Sequence, residues 1–157
     1  LVSVPCKEML EHWTNGTTDI ARLFPDMPHQ LADAAVTAHL PTWKERERVF
    51  YYDRLCYELR EAKVYAYEGN WEAAAGQWRA LTDSKQQRLR FMAAYNLALY
   101  HEMTDDIDRA LRMLDTAEAL STKTTRRGKQ RPVAPDTALV GQYREALHHR
   151  KQELERL

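Results

Sequence analysis

The sequence predicts an all-α fold, and three observations carry that prediction. Apolar residues recur three and four apart over most of the chain from residue 42 onward, the spacing of one face of a helix. Only five Gly and six Pro occur in 157 residues, while Ala, Leu, Arg and Glu are abundant and eight Tyr offer aromatic packing. No run alternates apolar and polar residues convincingly with period two.

Each element has its own signal. In the first forty residues, "PCKEMLEHW" reads as a short helix, "NGTTDIARLF" as a turn followed by another, and "PHQLADAAVTAHL" as a helix with Pro28 near its start. A first long helix is expected from "PTWKERERVF", where Thr42 and Glu45 have the spacing of a capping box. Its apolar residues run through Val49, Phe50, Leu55, Leu59, Ala62 and Ala66, and Gly69 ends it. Asn70 caps a second helix, whose stripe is Trp71, Ala74, Ala75, Trp78 and Leu81. A third helix runs from about Lys85 to Met103, with Asp83 or Ser84 as cap. "TDD", Thr104 to Asp106, turns the chain into a fourth, Ile107 to Leu120. Residues Ser121 to Asp136 are polar, basic and broken by Gly128, Pro132 and Pro135, so they read as a flexible loop. A last helix, Thr137 to about Glu155, starts from Asp136 and buries Leu139, Val140, Tyr143, Leu147 and Leu154.

Composition bounds the function. The length suits one domain. Lys plus Arg and Asp plus Glu are equal at 23, so no global charge draws the chain to nucleic acid or membrane. No window is apolar enough for a membrane span. "LVSVPCKEML" does not read as a signal peptide, and Leu1 in place of an initiating Met fits a processed or shortened chain. Cys6 and Cys56 make no disulfide framework, and Cys56 reads as a small core residue.

A shift of 36 residues overlays the chain on itself. Ala62 falls on Ala98, Ala74 on Ala110, Trp71 on Ile107, Trp78 on Leu114 and Leu81 on Ala117. The Gly69-Asn70 turn falls on Asp105-Asp106. One helical hairpin per period is the mark of a helical repeat. The alanines let paired helices approach, and the bulky residues fill the space between successive hairpins. The expected single domain therefore comprises N-terminal helices over 1–40, repeat hairpins over 42–82 and 84–120, a basic loop over 121–136 and a capping helix over 137–155.

Ala62, Tyr65, Gly69 and Ala74 resemble the small, aromatic, Gly and Ala positions of tetratricopeptide repeats; Ala98 and Ala110 repeat two of them, with His101 and Asp105 between. The bulky residue that the family carries early in its first helix is replaced by Glu58 and Ala94. That resemblance implies a superhelix of helical hairpins and a concave, peptide-binding face. Carried over by position, the face comprises Leu59, Lys63, Ala66 and Tyr67 from the first unit and Tyr95, Asn96, Leu99, Glu102 and Met103 from the second. Asn96 coincides with an Asn that some arrays use to clamp a peptide carboxylate, but the accompanying Lys and Arg positions are not matched. The pieces "LPTWKERERVFYY", "EGNWEAAAGQW" and "AAYNLALYHEMTDDIDRAL" also resemble the C-terminal part of uncharacterised lipoproteins from Bacteroides-type bacteria. This second resemblance implies an exported, lipid-anchored parent in the cell envelope, with this domain itself making no membrane contact.

Sites for chemistry are not apparent in the pattern. The six His form no HExxH motif and no CxxC pair exists, so neither a metal nor another cofactor is expected. His148 and His149 are adjacent on a helix, point about 100° apart and make poor co-ligands. Glu58 and Glu61 read as surface charges paired with Lys or Arg. Asn15-Gly16-Thr17 reads as a turn, although it matches a glycosylation acceptor. Lys123 to Arg131 carries five cations and no aromatic, which favours a solvated loop over a nucleic-acid or lipid contact. The expectation is a non-catalytic interaction or scaffolding module of an exported bacterial protein, binding a peptide or protein and no nucleic acid. The alternative is a purely structural domain supporting the rest of its parent, and an enzyme with a helical active site comes third.

Overall fold

A computed structural model describes residues 1–10 and 42–155. Five helices carry most of the described residues: α1 (Tyr57–Tyr67), α2 (Trp71–Arg79), α3 (Gln87–Met103), α4 (Ile107–Leu120) and α5 (Leu139–Glu155). Two antiparallel ribbons join them: β1 (Val2–Leu10) with β2 (Thr42–Phe50), and β3 (Thr122–Thr124) with β4 (Gln130–Pro132). The largely helical expectation holds, with these strands added.

The ribbons correct three expectations. Thr42 to Phe50 is a strand, so the helix expected from Thr42 starts only at Tyr57, and the Thr42–Glu45 capping box caps nothing. Val2 to Leu10 is also a strand, paired from Val2↔Phe50 to Leu10↔Thr42, which replaces the first part of the helix read in "PCKEMLEHW". Ladder bonds to a segment some forty residues away outweigh the helical propensity of Lys44 to Arg48. The stretch 121–136, read as a loop, contains the β3–β4 hairpin, turned at Gly128 (φ +73°). The helices expected over "NGTTDIARLF" and "PHQLADAAVTAHL" lie outside the described residues, as does the Leu154 side chain.

The 36-residue correspondence extends to the backbone. Gly69 ends α1 at φ +76° and Asp105 ends α3 at φ +58°. At the first end Gly69 N–H bonds Ala66 C=O at 3.2 Å and Asn70 N–H bonds Tyr65 C=O at 2.8 Å. At the second, Asp105 N–H bonds Glu102 C=O at 3.1 Å and Asp106 N–H bonds His101 C=O at 2.8 Å. Both are Schellman closures. Asn70 then caps α2 by accepting from Ala73 N–H (3.2 Å), and Asp106 caps α4 by accepting from Arg109 N–H (3.0 Å). Ala62, Ala98, Ala74 and Ala110 are all fully buried, as are Trp78 and Leu114.

Within each hairpin α1 packs on α2 and α3 on α4; between hairpins α2 packs on α3 and α4 on α5. The helix α5 thus follows α4 as α3 follows α2. Phe50, the last residue of β2, and Tyr51, just after the ribbon, enter the same core: Phe50 meets Trp78 (ring centroids 5.9 Å), and Tyr51 meets Phe91 and Tyr95 edge-on at 5.1 and 5.0 Å.

Candidate functional site

The face of α3 expected to line a groove holds an extended piece of the protein itself. Asn96 lies mid-helix and fully buried. Its Oδ1 accepts from Tyr51 N–H at 2.7 Å and its Nδ2 donates to Tyr51 C=O at 2.8 Å. One amide side chain thereby satisfies both backbone groups of a residue that has left its ribbon, as a neighbouring strand would. The Tyr51 hydroxyl reaches on to the Pro135 and Asp136 carbonyls, at 3.0 and 3.2 Å. Burial, with the Asp136 charge adding, pushes that hydroxyl up to about 12, so it remains a donor.

Two turns along α3, Glu102 is buried among cations. Arg48 of β2 grips it through Nε to Oε2 (3.0 Å) and Nη2 to Oε1 (2.7 Å), a fork-on-carboxylate pair. Tyr143 of α5 donates its hydroxyl to the same carboxylate, and Arg150 of α5 stands 3.6 Å from Oε1 while bonding Asp105 at 2.6 Å. Burial alone raises the Glu102 pKa, but the Arg48 hydrogen bonds and charge outweigh it and hold the carboxyl below its usual range. Burial and the facing carboxylate push the Tyr143 hydroxyl well up. With its oxygens taken up in this way, Glu102 is a poor general base. The cluster ties β2, α3 and α5 together and has the make-up of a structural joint.

The expected groove residues therefore divide. Leu59, Ala66, Tyr95, Asn96, Leu99 and Glu102 are buried, and Met103 is half-buried. Tyr67 is exposed on α1 and Lys63 beside it is half-buried, with Nζ 4.7 Å from the Tyr52 ring centroid and 5.7 Å from that of Tyr67. The structure gathers Tyr95, Asn96, Leu99 and Glu102 in one interior and leaves Lys63 and Tyr67 on a separate face. Tyr51 and Arg48 were missed as partners because the segment carrying them was read as helix.

That separate face exposes large apolar side chains beside Arg60 and Lys63. Leu55 is 89% exposed, Tyr57 and Tyr67 are each 59% exposed, and Val64 is 48% exposed. Tyr57, Arg60, Val64 and Tyr67 follow the three-four-three spacing of one helix side. Their counterparts 36 residues on are Ala93 and Asn96, both buried, and Tyr100 and Met103, both half-buried. Tyr100 packs on the preceding hairpin: its hydroxyl bonds Glu72 and the Arg79 guanidinium lies 5.1 Å from its ring centroid. Among the described residues, no hairpin gives α1 what α2 gives α3. Nor do three His, Cys, Asp or Glu side chains converge among them as a metal site would require, and none of the helices is long and apolar enough to cross a membrane.

Residues 60–149 match a protein family described as a domain of unknown function (DUF6340). No curated protein and no solved structure matches the chain.

Proposed function

We propose, from the premise that this chain belongs to the family of unknown function DUF6340, which covers residues 60–149, that the domain is a non-catalytic helical scaffold for a protein partner. The partner is an amphipathic helical segment laid on α1. The observation that carries the reading is the exposed Leu55, Tyr57, Val64 and Tyr67 side of α1, whereas the matching Tyr100 of α3 packs on the preceding hairpin. Four large apolar side chains exposed on or just ahead of one helix, with Arg60 and Lys63 over their rings, suit the apolar side and acidic flank of an amphipathic partner helix. The finer reading, a tetratricopeptide-like array, is supported by the matching Schellman ends, caps and buried alanines at a separation of 36 residues. An envelope-located parent belongs to the same proposal and rests on the family resemblance alone.

A photo-crosslinking amino acid placed at Tyr57 or Tyr67 of the full-length parent tests this in cells. Discrete adducts are expected at both positions and are expected to disappear with Val64→Asp. Adducts of equal strength from Gln142 on the exposed side of α5, or none from α1, would reject the binding face. A second reading, a purely structural domain, is favoured by the Asn96–Tyr51 contact, because the expected peptide groove is already filled from within. Absence of α1 adducts is the outcome that selects it.

A further inference from the structure

The β3–β4 hairpin concentrates Lys123, Arg126, Arg127, Lys129 and Arg131 in a chain whose charges cancel overall at 23 of each sign. Its register sets Lys123 directly opposite Arg131. Like charges facing across a ribbon are destabilising, so this arrangement works against the hairpin's own stability. Both side chains line a cleft of about 790 Å3. The opposite wall is the entry to α3, with Lys85, Arg88 and Arg90. Gln87 holds the two walls together: its Nε2 donates to the Leu120 carbonyl at 3.0 Å and the Thr122 carbonyl at 2.8 Å.

Five cations line this cleft and no Asp or Glu does. Arg88 is partly neutralised by Asp53 at 3.0 Å, and Arg90 donates to the Ser84 carbonyl at 3.2 Å. Lys85, Lys123 and Arg131 have no ion pair among the described residues. The first turn of α3 adds partial positive charge and carries no acidic side chain to cancel it.

We propose that this cleft binds a small ligand bearing two or more phosphate groups. Arg forks and Lys point charges on two walls suit separate phosphate groups of one molecule. The volume falls within the range of about 300–1,000 Å3 usual for small-ligand sites. No aromatic side chain lines the cleft to stack a base, which disfavours single-stranded nucleic acid. The inference is independent of the partner face on α1.

Calorimetric titration of the full chain with inorganic tripolyphosphate, in low salt near neutral pH, tests it. Saturable binding of one equivalent is expected, weakened about tenfold or more by Lys123→Gln with Arg131→Gln, and similarly by Lys85→Gln with Arg88→Gln on the helical wall. Arg126→Gln with Arg127→Gln removes the same charge from the hairpin tip, outside the cleft, and is expected to weaken binding by less than about threefold because screening limits its reach. Circular dichroism of each variant checks that the fold is retained. No saturable binding at millimolar ligand, or equal loss in the tip and cleft variants, overturns the proposal. So does tighter binding to anionic vesicles or to single-stranded oligonucleotide than to tripolyphosphate.

Discussion

Replacing Asn96 with Ala removes both hydrogen bonds that hold the Tyr51 backbone. Asn96 is fully buried and Tyr51 is 2% exposed, so water does not step into their place. Each buried backbone group left without a partner costs about 1–3 kcal/mol, or about 2–6 kcal/mol for the two. The void left by the amide adds about 1 kcal/mol. Ala also avoids burying an amide, which returns part of the cost and brings the expected net loss to about 3 kcal/mol. Urea denaturation followed by tryptophan fluorescence reads this directly as a fall in midpoint at unchanged slope. For a chain of this size the melting temperature should drop by about 6–12 °C. Native-state hydrogen exchange adds the local reading, since the Tyr51 amide should lose more protection than the amides of α2. A loss below about 1 kcal/mol, with Tyr51 protection unchanged, would mean that its ring and hydroxyl alone hold the segment and that the Asn96 argument is wrong.

Glu102→Gln leaves Arg48 and Arg150 facing a neutral amide and should cost about 3 kcal/mol or more at neutral pH. Because the Glu102 carboxyl is held below its ordinary range in the folded state, its contribution is complete above that range and is lost as pH falls through the lowered value. The stability gap between wild type and Glu102→Gln should therefore narrow on acidification, and a gap independent of pH in parallel denaturation curves would reject the assignment. Ala62→Leu and Ala98→Leu insert bulk at matching, fully buried sites; each should cost about 1–3 kcal/mol or more, read as lowered urea midpoints. A cost at one site and none at the other would break the correspondence between hairpins. Gly69→Ala meets no atom within 4 Å, so only the strain of φ +76° opposes it, about 1 kcal/mol by thermal denaturation with the fold unchanged.

The helical part of the fold was legible because its signals are local. Gly69, Asn70, Asp106 and the Ala62–Ala98 and Ala74–Ala110 pairs each act within a turn or across one hairpin. The ribbon was not, since Lys44, Glu45, Arg46 and Glu47 favour helix on their own. Their strand conformation depends on pairing with Val2 to Leu10, whose Val2, Val4 and Cys6 alternate with Ser3, Pro5 and Lys7 and offered the available hint. Of the site, Asn96 and Glu102 were expected to line an open groove, and both are buried on partners within the chain. Their partners could not be read, because Tyr51 and Arg48 sit 45 and 54 residues away in sequence on the misread segment. The cationic cleft escaped for a similar reason: Lys123 and Lys85 are 38 residues apart in sequence, and only the folded hairpin brings them to one cleft.

Tyr51 is held by its backbone on α3, its ring between Phe91 and Tyr95, and its hydroxyl on the carbonyls just ahead of α5. Stacks of hairpins ordinarily fray from an end, shedding one module while the next stays intact. Here Tyr51, with the Arg48–Glu102–Tyr143 cluster beside it, spans the beginning, middle and end of the described fold. Ties of this kind couple the last helix to the first strands, so the molecule should come apart all at once rather than unravel module by module.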